Sequence, residues 1–113
     1  MKAPFSAGAL CSSVTDLVAW TSALMNGKVV TRASLDLMIA PAKLNDGSAT
    51  TYGFGLGIPN GDKKAISHGG GINGFASYMT YLADSGTTVV VLTNLGGAKP
   101  AAIASELIEK IGD

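Results

Sequence analysis

Val14, Leu17, Val18, Thr21, Leu24 and Met25 recur at three- and four-residue spacing, which puts them on one stripe of a helix and turns that stripe toward a core. Ser13-Val14-Thr15-Asp16 before it has the form of a capping box, with the serine hydroxyl taking an early helix N–H and the acidic side chain reaching back. Asn26-Gly27 supplies a left-handed stop, and Trp20 falls off the centre of the stripe, on its flank. A second, shorter helix is predicted after Thr31 as cap, with Leu35, Leu37, Met38 and Ile39 inside it. It ends before Pro41, because the residue ahead of a proline resists helical dihedrals. Pro41 to Thr51 reads as a surface loop turning at Asn45-Asp46-Gly47-Ser48.

Beyond that loop the period changes. Tyr52-Gly53-Phe54-Gly55-Leu56-Gly57-Ile58 alternates large apolar residues with glycine, which on a strand leaves one face bare for a close neighbour. Asn60 to Lys64 is a turn, Ala65 to Ser67 opens a new strand, and Gly74 to Leu82 is extended. In that stretch Phe75, Ser77, Met79 and Tyr81 oppose Ala76, Tyr78, Thr80 and Leu82. Asp84-Ser85-Gly86 makes a hairpin into Thr87 to Thr93, a segment so rich in β-branched residues that burial on both faces is expected. Pro100 starts a last helix with Ile103, Leu107, Ile108 and Ile111 on its apolar stripe. The predicted fold is α+β: an antiparallel sheet of about three strands flanked by helices. Residues 1–113 form one unit, helical over 1–50, stranded over 51–95 and helical again over 99–112.

A chain of 113 residues is one domain at most. With 47% hydrophobic and 14% charged residues, it has the composition of a packed domain and not of a disordered one. Eight basic residues balance eight acidic ones without a basic stripe, so nucleic acid is not an expected partner. No apolar run approaches the roughly eighteen residues that cross a bilayer, so no membrane partner is expected either. Met1-Lys2-Ala3-Pro4-Phe5 lacks the apolar stretch of a signal peptide, which leaves the compartment undetermined. The single cysteine, Cys11, has no second thiol to pair with and is expected to be a small buried residue. No metal or cofactor is expected, because the lone histidine has no neighbouring ligand set in sequence.

That histidine opens the most unusual stretch, His68-Gly69-Gly70-Gly71-Ile72-Asn73-Gly74-Phe75. Three consecutive glycines lose backbone entropy on folding and pack no side chains. Their use is either close approach to the backbone at an active-site edge or a glycine-rich hairpin loop, and the octapeptide alone leaves both open.

Four segments together resemble the C-terminal part of the class C β-lactamase-like serine hydrolases, a family that includes β-lactamases, D-alanyl-D-alanine carboxypeptidases and esterases. They are Ser6 to Trp20, Tyr52 to Gly57, His68-Gly69-Gly70-Gly71 with Gly74-Phe75, and Val89 to Asn94, in that order and covering nearly the whole chain. The resemblance implies a partial β-lactamase/transpeptidase-like fold. It makes His68-Gly69-Gly70 the H-x-G form of the family's third motif. His68 would line the cleft and steer or polarise the substrate's carboxylate or the catalytic tyrosine. Gly71 would present a backbone N–H as half of the oxyanion hole, with Gly69, Gly70 and Asn73 along the substrate.

Two family elements have no counterpart in the sequence. No serine is followed three residues later by lysine, and no tyrosine is followed two residues later by asparagine, so S-x-x-K and Y-x-N are both missing. In the family both precede the region matched here, which makes the chain look like a C-terminal piece of a serine hydrolase, expected to be inactive alone. A small acyl substrate would then bind only the complete enzyme, and a parent of this family is often exported. The expected partner is the missing N-terminal part or another copy of the chain, because a sheet without its completing strands leaves an open edge and an uncovered apolar face. A compact monomer is the alternative. Two further readings stay open: a self-sufficient, non-catalytic binding or assembly module, and a different hydrolase with His68 as base and Ser67 or Cys11 as nucleophile. Ser67 and His68 are adjacent, so on a strand their side chains point to opposite faces, which disfavours that pairing.

Overall fold

The computed structural model describes residues 6–112. Met1 to Phe5, read above as lacking a leader, lie outside the described residues. The order is helix α1 (Val14–Met25), helix α2 (Arg32–Met38), strands β1 (Ala65–Ile72), β2 (Phe75–Leu82) and β3 (Thr87–Thr93), and helix α3 (Pro100–Ile111).

Helix α1 starts where its cap predicts. Ser13 is extended, and its Oγ accepts the Asp16 N–H at 3.1 Å. Asp16 reaches back only as far as the Ser13 hydroxyl, which donates to its Oδ2 at 2.9 Å. Aspartate is one methylene shorter than the glutamate that closes a full capping box onto the cap's backbone. Gly27, at φ +70°, ends the helix in the left-handed region. Helix α2 is capped by Thr31, whose Oγ1 accepts the Ser34 N–H at 3.2 Å, and closes at Ile39 ahead of Pro41.

The sheet is a meander in the order β1-β2-β3, antiparallel throughout. Asn73-Gly74 turns β1 into β2 and pairs Ile72 with Phe75, Gly74 taking a positive φ of +88° at the second turn position, as in a type II turn. Alternation along β2 then divides the core in two. Met79 and Tyr81 pack with Ile66 against Leu24, Met25, Leu35, Ile39, Leu56 and Ile58, so α1 and α2 cover that face. Ala76, Thr80 and Val89 are buried on the other, where α3 meets β2 and β3 and Ala104 is fully buried. Leu35, Ile58 and Ile66 are almost completely enclosed, each worth about 1.5–3 kcal/mol of transfer free energy.

Four expectations need correction. Tyr52 to Ile58 is not a strand: its β-pairings among the described residues are isolated bridges, Tyr52 to Gly57 and Gly57 to Ser67, and Gly55 turns it back at φ +72°. Its glycines do serve close approach. A Cβ on Gly53 would collide with the Met38 carbonyl oxygen, and one on Gly57 would lie 3.0 Å from that of Ser67. Strand β3 is only partly buried, with Leu92 38% exposed, because it forms the second edge of the sheet. Helix α3 is rotated from its predicted stripe. Pro100, Ala104 and Ile108 face inward, while Ile103, Leu107 and Ile111 stay exposed, since the small Ala104 lets the helix approach the sheet closely. Cys11 is exposed, against the expectation of burial.

Candidate active site

Strand β1 carries the candidate residues, and its outer edge is paired only at its start. Ser67 exchanges both backbone bonds with Gly57, its N–H donating to the Gly57 oxygen at 2.9 Å and its oxygen accepting the Gly57 N–H at 2.7 Å. In an antiparallel ladder, successive residues direct their N–H and C=O alternately to the two sides. Ser67 faces away from β2, so Gly69 and Gly71 face the same way. No described segment lies beside them to accept those bonds. The glycine run is therefore strand and edge, not loop. Gly70 has a steric reason, because a Cβ there would run into the Ser77 hydroxyl of β2; at Gly71 the space for one is open.

An open cavity of about 1140 Å³ adjoins this edge. Gly70, Gly71, Asn73, Ser77, Leu17 and Leu92 contribute to its walls, and the segment from Ala7 to Ser12 closes one side. The structure thus brings Gly70, Gly71 and Asn73 together on one wall. His68 and Gly69 lie further back along the strand, outside that wall. Leu10, Val14, Phe75 and Leu92 remain exposed around the cavity and along α1, and Trp20 is half-exposed on the α1 flank.

His68 points its ring to Tyr52, not to either candidate nucleophile. Tyr52 Oη and His68 Nε2 are 2.8 Å apart, with ring centroids 5.9 Å apart and planes inclined at 59°. Ser67 is buried on the opposite face, and Cys11 sits on the cavity side away from the histidine's hydrogen bond. The sequence reading placed Tyr52 at the head of the glycine-alternating run. No local pattern signals this partnership, which spans sixteen residues. Among the described residues no three His, Cys, Asp or Glu side chains cluster closely enough to hold a metal ion.

A comparison of sequences identifies the family: the family model described as Beta-lactamase matches residues 1–113. The chain belongs to the β-lactamase family. Among curated relatives in this family, penicillin-binding protein 4* of Bacillus subtilis is 32% identical over 89 residues, covering 77% of this chain and 20% of its own. A D-aminopeptidase of Brucella anthropi is 28% identical over 95 residues, covering 82% of this chain and 18% of its own. The crystal structure of a penicillin-binding protein from Bacillus halodurans superposes with a TM-score of 0.68 at 19% identity, over 87% of this chain and 30% of that one. The fold is therefore that of β-lactamase-like serine hydrolases, and the chain spans about a fifth of the length of the curated relatives it matches.

Proposed function

We propose that this chain forms the third-motif wall of a β-lactamase-like serine hydrolase acting on amide, lactam or ester carbonyls. The observation that carries this reading is the outer edge of β1, where the backbone groups of Gly69 and Gly71 point outward with no partner among the described residues, Gly71 beside a large cavity. A carbonyl converted to a tetrahedral oxyanion needs fixed N–H donors within about 3 Å, in a site that requires no reorganisation as charge develops. Gly71 supplies one such donor on a rigid strand, and Gly69 and Gly70 leave room for a substrate to lie along the edge. Asn73 stands at the turn that ends the wall, and His68 lines its far end.

The reading makes the isolated chain inactive. Acyl transfer needs a nucleophile with an activating base, and neither S-x-x-K nor Y-x-N occurs in the sequence. The complementary surface comes from the N-terminal remainder of the domain or from another copy of the chain. In favour of such a partner, the first half of α1 buries little, leaving Val14 exposed and Leu10 95% exposed beside the cavity.

The test is acyl trapping with a chromogenic β-lactam and a short-chain aryl ester, read by mass spectrometry. The isolated chain is expected to give neither turnover nor adduct. Grafted in place of the matching segment of the B. subtilis relative, it is expected to restore an adduct that His68→Ala weakens. An adduct on the isolated chain would refute the reading. A graft that folds but never acylates would favour the alternative, a non-catalytic binding or assembly module derived from this fold.

A further inference from the structure

We propose that Tyr52 is a positioning residue that holds the ring of His68 by donating its phenolic proton to Nε2. The role rests on the reading of His68 as part of a hydrolase cleft, although the hydrogen bond itself does not.

The backbone around Tyr52 is fixed to a degree unusual for an exposed loop. Its oxygen accepts the Ala42 N–H at 2.9 Å, its N–H donates to Thr50 Oγ1 at 3.2 Å, and it bridges to Gly57. Gly57 is in turn paired with Ser67, the residue before His68. Tyrosine and histidine are thus linked by two backbone bridges in series, both through Gly57. Gly57 lets the loop approach the Ser67 carbonyl, and Gly53 lets it seat on that of Met38. The alternating glycines form a clamp, and what the clamp delivers is the phenol at the imidazole. Packing does not explain the tyrosine, which is 44% exposed.

The chemistry of the pair suits orientation. A phenol donates to the free nitrogen of a neutral imidazole and accepts from the N–H of an imidazolium, so the contact persists in either state. With the neutral ring, the bond selects the tautomer that carries its proton on Nδ1. A histidine bound in this way presents the Nδ1–H as its remaining donor and loses the freedom to swing along the glycine edge.

Nitrogen-15 NMR of the histidine ring in the 113-residue chain tests this directly. In the wild type at a pH where the ring is neutral, Nε2 is expected to resonate as an unprotonated nitrogen. Tyr52→Phe keeps the ring and removes only the donor, and should shift the tautomer ratio toward Nε2–H by roughly two- to tenfold. Amide spectra control for folding. Should the variant fail to fold, the wild-type tautomer still decides, since a majority of Nε2–H overturns the proposal. In the graft described above, Tyr52→Phe is expected to lower kcat by roughly tenfold or more with KM little changed. A graft that never acylates defeats the hydrolase reading while the tautomer result stands. An active graft in which Tyr52→Phe moves neither tautomer nor kcat overturns the positioning role.

Discussion

Gly53→Ala adds a methyl where, of the described glycines, a Cβ would come nearest to another segment's backbone. An added Cβ would overlap the Met38 carbonyl oxygen and lie 3.1 Å from that of Ala40, so the obstacle is backbone on two sides and no side chain can turn aside. Either the end of α2 or the loop must move. Movement breaks the bond from the Phe54 N–H to the same Met38 oxygen, 2.9 Å long, and strains the one from the Gly53 N–H to Leu56 at 2.8 Å. Forcing a methyl into a packed site costs about 1–3 kcal/mol. Losing the Phe54 bond adds about 1 kcal/mol. The sum of about 2–4 kcal/mol is a large part of the roughly 5–15 kcal/mol that holds a domain folded, and lowers Tm by on the order of 10 °C. Urea unfolding followed by circular dichroism and Trp20 fluorescence gives the difference, with Gly97→Ala as control because nothing lies within 4 Å of the Cβ it would add. A Gly53→Ala midpoint indistinguishable from that control would refute the clamp.

Leu35→Ala empties a nearly enclosed site of the α1–α2 core, where the side chain is 1% exposed, and should cost about 2–5 kcal/mol in the same unfolding measurement. Asp46 responds to pH locally: the Ser48 hydroxyl and then the Ser48 N–H hold its carboxyl below the ordinary carboxylate range. The contribution of this turn is therefore present above the unfolded pKa and lost as pH falls through the depressed one. The Ser48 amide shift is expected to change only at pH values below the usual aspartate range, with no loss of global fold.

Elements whose specification is local were legible in the sequence. The Ser13 cap, the Asn26-Gly27 stop, the helix ahead of Pro41 and the hairpin at Asp84-Ser85-Gly86 each follow from a few adjacent residues, and each appears where expected. What misled was hydrophobic size. The stripe of Ile103, Leu107 and Ile111 outweighs one alanine in any periodicity, yet distance of approach to a sheet is set by the smallest residue, Ala104. Glycine alternation over Tyr52 to Ile58 reads the same for a strand and for a loop that seats on carbonyls, because the obstructing Met38 and Ser67 oxygens belong to other segments. At the candidate site, His68 and its glycines stood out in the sequence by their rarity, and the structure places them along β1. The Tyr52 bond spans sixteen residues and depends on two bridges that no local pattern encodes.

The meander also has a kinetic consequence. Every ladder joins strands adjacent in sequence, through a two-residue turn and a four-residue one, 83–86. Hairpins of this kind zip in about 1–10 μs. Helix α1 reaches the sheet only by closing a much longer loop, the bond from Thr21 to Met79 spanning 58 residues, and the entropy of closure grows with that length. The glycine edge should thus acquire its register before α1 docks over it, an order that amide protection during refolding would display.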